Sequence, residues 1–138
     1  MNKKYERYIN YIVNDIQPPY FKNMENEYGL RSDEYPLILS KVFDQPVKVD
    51  GSYIYDSNNN IIYQEYSDGG WYKQEYDING NRIYHENSNG YWERKEYNQN
   101  SKLIYQEYSD GFWSKYEYDQ NGNEVYYEDS NGFIEDNR

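Results

Sequence analysis

The residues of this sequence with the means to do chemistry are carboxylates, one histidine, and aromatic side chains repeated at an interval of 21. His85 is the sole histidine, and the corresponding positions in neighbouring intervals hold Gln64, Gln106 and Tyr127. A general base must sit within reach of its proton in a defined site, so a position that varies in this way reads as a solvated side chain. Acids are plentiful, but glycosidase-type catalysis needs one carboxyl of a pair sheltered and its pKa raised. A one-layer sheet offers no such shelter, and the reading is of a protein that is not an enzyme. Asp77-x-Asn79-x-Asn81 and Asp119-x-Asn121-x-Asn123 open like a calcium loop. The glycine expected next is Arg82 or Glu124, and the glutamate of position twelve is Ser88 or Ser130, so hairpin-turn chemistry accounts for them without metal. No metal and no other cofactor is expected.

Binding chemistry fits better. Glu75, Glu96 and Glu117 recur at the interval, as do Trp71, Trp92 and Trp113, and Tyr84, Tyr105 and Tyr126. Carboxylates steer a basic partner and aromatic rings anchor it, which makes these nine residues the candidate partner-binding set. The same Trp and Tyr rows suit sugar stacking in a carbohydrate-binding module, or a ladder that only stabilises the sheet.

Behind these positions lies one sentence written three times. WYKQEYDINGNRIYHENSNGY, WERKEYNQNSKLIYQEYSDGF and WSKYEYDQNGNEVYYEDSNGF follow one another from Trp71, after a degenerate copy that ends at Gly70. Fixed-period self-similarity marks a repeat architecture. Of 138 residues 36% are apolar, but 21 of the chain's residues are Tyr, and the mean hydropathy is −1.33. A thick interior is not expected, and cross-strand pairs must do much of the stabilising. The aromatic content of 20% and the strict period argue against disorder.

Charge and composition narrow the partners. Residues 1–50 hold seven Lys/Arg against eight Asp/Glu, while residues 51–138 hold seven against seventeen, giving −11 overall. Such a surface repels nucleic acid and anionic membrane and attracts basic proteins. Without cysteine there is no disulfide, thiolate metal site or cysteine nucleophile. The start, MNKKYERYINYIV, lacks the apolar core and cleavage site of a secretory signal, no apolar run approaches bilayer length, and the expected compartment is cytoplasm.

The elements follow from periodicity. Residues 3–16 predict an amphipathic helix with Tyr5, Tyr8, Ile9, Ile12, Val13 and Ile16 on one face and Lys3, Lys4, Arg7 and Asp15 elsewhere, stopped by Pro18 and Pro19. Residues 21–30 predict a second helix ending at Gly29. A third is capped by Ser32 or Asp33, carries Pro36 in its first turn and buries LILSKVF. From residue 47 the chain turns to strands, about eight of them, two per repeat. Residues 1–46 thus form a helical cap and 47–138 a repeat sheet. A period of 21 needs one odd residue per repeat. A two-residue turn at Asn79-Gly80 and a longer one at Asn89-Gly90-Tyr91 supply it. That register expects straight rows: Lys73, Glu86, Arg94, Glu107, Lys115, Glu128; then Glu75, Tyr84, Glu96, Tyr105, Glu117, Tyr126; then Trp71, Ser88, Trp92, Ser109, Trp113, Ser130. The other face carries Tyr76, Ile83, Tyr97, Ile104, Tyr118 and Val125.

Tyr76-Asp77-x-x-Gly80-Asn81 and Tyr118-Asp119-x-x-Gly122-Asn123, two periods of 21 apart, resemble the YD-repeats of Rhs-type bacterial proteins over residues 55–134. The resemblance implies a β-hairpin repeat fold and little about activity. The third copy, with Tyr97-Asn98 and Asn100-Ser101, departs from the pattern and is expected to carry a different turn. The whole chain, with PPYF and DEYPLILSKVF ahead of Tyr-rich repeats, resembles small bacteriophage accessory proteins of the anti-CRISPR, anti-defence kind. That resemblance implies an inhibitor acting in the bacterial cytoplasm on a basic host protein, such as a nucleic-acid-binding nuclease complex. The fold class read from the sequence is α+β: a helical cap followed by a twisted, largely single-layer antiparallel sheet. The function is non-enzymatic binding, with a structural or self-assembling repeat that dimerises through sheet edges as the second reading.

Overall fold

A computed structural model describes residues 3–138, with side chains from residue 6 onward. The chain divides into two compact units, Met1–Tyr72 and Lys73–Arg138. Helices α1 (Lys3–Asp15), α2 (Tyr20–Asn26) and α3 (Tyr35–Val42), the last entered through a 3₁₀ turn at Ser32–Glu34, precede ten strands. These are β1 (Lys48–Asp50), β2 (Tyr53–Tyr55), β3 (Ile61–Glu65), β4 (Trp71–Tyr76), β5 (Arg82–Asn87), β6 (Trp92–Tyr97), β7 (Leu103–Tyr108), β8 (Trp113–Tyr118), β9 (Glu124–Asp129) and β10 (Ile134–Asp136). They form an antiparallel sheet in which strand neighbours follow chain order. Ten strands replace the eight expected, because Lys48–Asp50 and Ile134–Asp136 each add a short strand.

The first unit has the interior that composition argued against. Ile9, Ile12 and Ile16 from α1, Tyr20 and Met24 from α2, Leu30, Ile38 and Leu39, and Ile54, Ile62 and Tyr63 from the strands are all buried. Fully burying one such aliphatic side chain stabilises by about 1.5–3 kcal/mol, so few aliphatics suffice when they are gathered in one place. Tyr8 and Leu37 are exposed rather than on the buried faces. The Tyr8 hydroxyl donates instead to the Tyr28 carbonyl at 2.8 Å. Tyr5, Lys3 and Lys4 lie outside the described side chains. Gly29, at φ +61, closes α2: the left-handed turn lets the Leu30 N–H reach the Met24 carbonyl at 2.9 Å.

At its other end α2 is capped from the sheet. Pro19 precedes the helix and offers no side-chain cap, which leaves the first-turn N–H groups without helical partners. The Tyr20 N–H donates to the Tyr63 hydroxyl, and the Phe21 and Lys22 N–H groups donate to the two Glu65 oxygens, all at 3.0 Å. Tyr63 in turn donates to Glu65 at 2.5 Å. Burial, then the bond to Glu65, pushes the Tyr63 phenol well above its ordinary range. A carboxylate at a helix N-terminus is also favoured by the helix dipole. Expected Ser32 and Asp33 caps do not form: no side chain caps the 3₁₀ turn or α3.

The strand connections differ from the expected pair of turns, and both take one form. In the loop 78–80 the Gly80 N–H donates to the Asp77 carbonyl at 3.1 Å and the Asp77 N–H to the Asn81 carbonyl at 2.8 Å. In the loop 88–90 Gly90 donates to Asn87 at 3.2 Å and Asn87 to Tyr91 at 2.9 Å. Each is a three-residue loop whose last residue is left-handed, as Gly80 (φ +86) and Gly90 (φ +88) allow. The third copy departs in sequence but not in turn. Ser101 takes φ +60 and donates to Asn98 at 3.0 Å. The Asp77 Oδ1 accepts the Asn79 and Asn81 N–H groups at 3.0 and 2.9 Å, which is the turn chemistry that the calcium-like spacing encodes.

The odd residue per repeat is a bulge. Glu96 faces Tyr105 but Tyr97 faces Leu103, leaving Ile104 unpaired; Glu117 faces Tyr126 but Tyr118 faces Glu124, leaving Val125 unpaired. Ile62 occupies the same place opposite Ile54 and Tyr55. The expected apolar row through Ile104 and Val125 therefore does not form as cross-strand pairs. Between hairpins the register is displaced by two residues from expectation. Glu86 faces Trp92 rather than Arg94, Tyr84 faces Arg94 rather than Glu96, and Glu107 faces Trp113 rather than Lys115. The straight rows become oblique. The β7–β8 ladder pairs residues 105–107 with 113–115 only, so the two hairpins part towards their 98–102 and 119–123 turns. Tyr118 bridges that gap, donating its hydroxyl to the Leu103 carbonyl at 2.6 Å.

Glu65→Ala is expected to destabilise the protein by about 1–3 kcal/mol, the range for leaving buried donors unmatched, and Tyr63→Phe by about 1 kcal/mol. Urea unfolding followed by circular dichroism checks both, with exposed Glu75→Ala as a reference expected to stay within about 0.5 kcal/mol of wild type.

Candidate functional site

In the second unit the side chains sort onto two faces by strand alternation. One face carries Trp92, Arg94 and Glu96 of β6, Tyr105 and Glu107 of β7, Trp113, Lys115 and Glu117 of β8, and Tyr126 and Glu128 of β9, linked by the ladder pairs Arg94–Glu107, Glu96–Tyr105, Lys115–Glu128 and Glu117–Tyr126. Glu96 and Glu117 are exposed, while Trp92, Trp113, Tyr105 and Tyr126 are half-buried. Glu96 and Glu117 are thus more accessible than the Tyr105 and Tyr126 rings opposite them. Each Tyr is tied to an acid on its own strand: Tyr105 donates to Glu107 at 3.3 Å and Tyr126 to Glu128 at 3.0 Å. Burial first, and those neighbouring carboxylates next, raise both phenols above the ordinary tyrosine value. At the open end of the gap between β7 and β8 lies a groove of about 580 Å³, lined in part by Glu96, Tyr105, Lys115, Glu117 and Tyr126.

Cations are placed on this face in three ways. Arg94 pairs with Glu107 at 2.8 Å, a half-exposed pair worth at most about 1 kcal/mol. The Lys115 ammonium lies 5.1 Å from the Trp113 ring centroid. Arg138 reaches back from beyond β10: its Nη1 is 3.1 Å from Glu117 Oε2, its guanidinium carbon lies 4.2 Å from the Tyr126 ring centroid, and Asp136 holds it by two bonds of 3.0 Å. Arg138 pulls the Asp136 carboxyl down to about 2.

Of the nine residues singled out in the sequence, Glu96, Glu117, Tyr105 and Tyr126 meet in this groove. Trp92 and Trp113 share its face but not a row: Trp113 stands two strands across from Arg94, two residues out of line with Trp92. Trp71 belongs to the first unit, where its ring stacks on Tyr63 at 6.3 Å. Glu75 is exposed and Tyr84 half-buried, and burial, then Glu86 and Glu75, raises the Tyr84 phenol. Glu117, placed only among glutamates and tyrosines in the expected rows, pairs with Arg138. The signal was in the sequence: Arg138 continues the 21-residue series Glu75, Glu96, Glu117.

The opposite face holds a polar network that sequence reasoning missed. Glu93 is nearly buried, accepts from Arg82 at 2.7 Å and from Tyr91 at 2.8 Å, and has Lys95 at 3.9 Å. Burial pushes its pKa up, but the Tyr91 hydroxyl, Lys95 and Arg82 together outweigh this and leave it lowered. The bond to Glu93 pushes Tyr91 up to about 12. His85 is half-buried in this network rather than solvated, with Nδ1 3.0 Å from Gln74 Oε1 and its ring edge-on to Tyr91. Gln106, at the same repeat position, donates to Ser114 and Tyr116 at 2.9 and 3.1 Å. Glu93 was hard to find because its counterparts one interval away are Tyr72 and Ser114.

Among the described residues no helix is long and apolar enough to cross a membrane, and no group of three His, Cys, Asp or Glu side chains is placed to hold a metal ion. No protein-family model matches the chain, and no curated protein matches it.

Burial, and next Arg82, lowers the His85 pKa below its ordinary 6.5. The unfolded chain then takes up the proton more readily, so this contribution to stability is intact above pH 6.5 and is lost as pH falls below it. His85→Gln is expected to lose less stability than wild type between about pH 7.5 and about pH 5.5. Parallel urea midpoints at the two pH values check this, and equal losses would contradict it.

Proposed function

We propose that this chain is a non-enzymatic acidic binding module that docks its tryptophan- and tyrosine-bearing sheet face on a basic protein surface. One observation carries the reading: exposed Glu96 and Glu117 lie across the ladder from half-buried Tyr105 and Tyr126, and all four line one groove. Rigid aromatic rings contribute contact area at low entropy cost, and carboxylates beside them steer a cationic partner and select against an anionic one. The resemblance to small phage accessory proteins narrows the partner to a nucleic-acid-handling host protein of a defence system, which the module would inhibit by occluding its basic surface. Residues 51–138 carry seven Lys/Arg against seventeen Asp/Glu, a balance that supports docking on protein and opposes direct nucleic-acid binding.

Tagged full chain is expected to recover a basic nucleic-acid-binding protein from bacterial lysate at low salt, and to lose it at high salt. The triple variant Glu75→Lys/Glu96→Lys/Glu117→Lys is expected to reduce recovery on the order of tenfold. Mass spectrometry of the eluates is the readout. Recovery of the chain alone, in a concentration-dependent assembly, would replace this reading with a self-assembling sheet.

A further inference from the structure

Resting on that reading, we propose that the groove at Glu96 and Tyr105 is a guanidinium subsite, which takes arginine side chains of the partner in preference to lysine. The pattern is displayed by the chain itself. Glu117 and Tyr126 face each other across β8 and β9, and the Arg138 guanidinium sits on the Tyr126 ring at 4.2 Å while bonding Glu117 at 3.1 Å. One interval back, Glu96 and Tyr105 face each other across β6 and β7 in the same register. There the next member of the series is Glu117 instead of an arginine. Tyr105 thus has Glu96 opposite it on β6, Lys115 opposite it on β8 and Glu117 two residues on, where Tyr126 has Glu117, Asp136 and the Arg138 guanidinium in the corresponding places.

Of the cations around this step, Arg94 is bound to Glu107 and stands 5.9 Å from the Tyr105 centroid, Lys115 lies over Trp113, and Lys102 lines the groove from the 98–102 turn. Glu96 is exposed, and Glu96, Tyr105, Glu117 and Tyr126 line one groove, so an incoming side chain has access to ring and acids together. Guanidinium suits that arrangement better than ammonium. It is planar and weakly hydrated, stacks on an aromatic face, and keeps N–H groups in its plane for a carboxylate. Equivalent steps lie two strands apart and two residues out of line, about 9.5 Å across and about 7 Å along. Successive subsites are therefore about 12 Å apart, and the partner would present its arginines at that spacing.

The test titrates isotopically labelled full chain with blocked hexa-arginine and hexa-lysine peptides of equal charge, read by NMR shifts. Hexa-arginine is expected to bind about two- to fivefold more tightly, with the largest shifts at Glu96 and Tyr105. Glu96→Gln is expected to abolish the preference, and Glu135→Gln, an exposed acid opposite Tyr127 on the other face, to preserve it. Arg138→Gln is expected to open a second site, seen as new shifts at Glu117 and Tyr126. Equal affinity for the two peptides, or a preference unchanged by Glu96→Gln, would overturn the subsite while leaving salt-sensitive docking on the acidic face in place. Absence of binding by both peptides would also overturn it, and capture of a lysate partner would then stand or fall separately.

Discussion

The repeat sheet depends on the one residue that the β6–β7 and β8–β9 hairpins each leave out of the ladder. From Ser57 onward its loops are three residues long, with centres alternately ten and eleven residues apart, as at Asn79, Asn89 and Asn100. Ladders built on such loops alone would shift corresponding residues of successive repeats by one position. In a pleated strand one position is the other face. Leaving Ile104 or Val125 unpaired changes the shift to two, and the faces are kept. The series of glutamates and tyrosines can share a surface only because of that bulge. A β-branched side chain suits the position, since it favours extended backbone whether or not it is hydrogen-bonded.

The same displacement links architecture to surface chemistry. It tilts the rows, so Arg94 meets Glu107 and then Trp113, and Glu96 meets Tyr105 and then Lys115. It shortens the ladder between hairpins and opens the groove that Tyr118 bridges. Stability in the second unit is carried by ladders, rings and polar networks; its buried side chains include Glu93 and Ser114. The first unit works by another principle. Its aliphatic residues are concentrated around Ile12, Met24, Ile38 and Ile54, and its second helix is held at its N-terminus by a carboxylate from β3. Uneven distribution is what average composition conceals.

Much of the fold was legible in the sequence because its signals are local. Pro18 fixes its own φ and Gly29 is free to take the left-handed turn that ends α2, and alternating Tyr, Glu and Lys declare strands. The pairing of Glu96 with Tyr105 was also legible, although for the wrong reason. A two-residue turn with regular pairing and a three-residue turn with one unpaired residue place those two side chains opposite each other alike. Sequence spacing cannot separate the two, because the choice rests on hydrogen bonds across the ladder. Between hairpins no such compensation occurred, and a loop centred at Gly90 instead of Asn89 moved every pair by two. The nine candidate residues were legible as a repeating series. Arg138 closing on Glu117, Glu93 settling among Tyr91, Arg82 and Lys95, and Glu65 capping α2 were not, since each depends on groups brought together from different strands or helices.

The unpaired residue also sets how a protein of this construction can change in length. Adding or deleting one residue from a strand would turn every later ring and carboxylate to the far side, and two such changes would be needed to restore them. A whole 21-residue copy carries its own correction. Gain or loss of copies would thus lengthen or shorten the line of acids and rings by a fixed oblique step, with the earlier steps undisturbed. Valency would be adjusted in whole numbers, by duplication, with no need to redesign the surface.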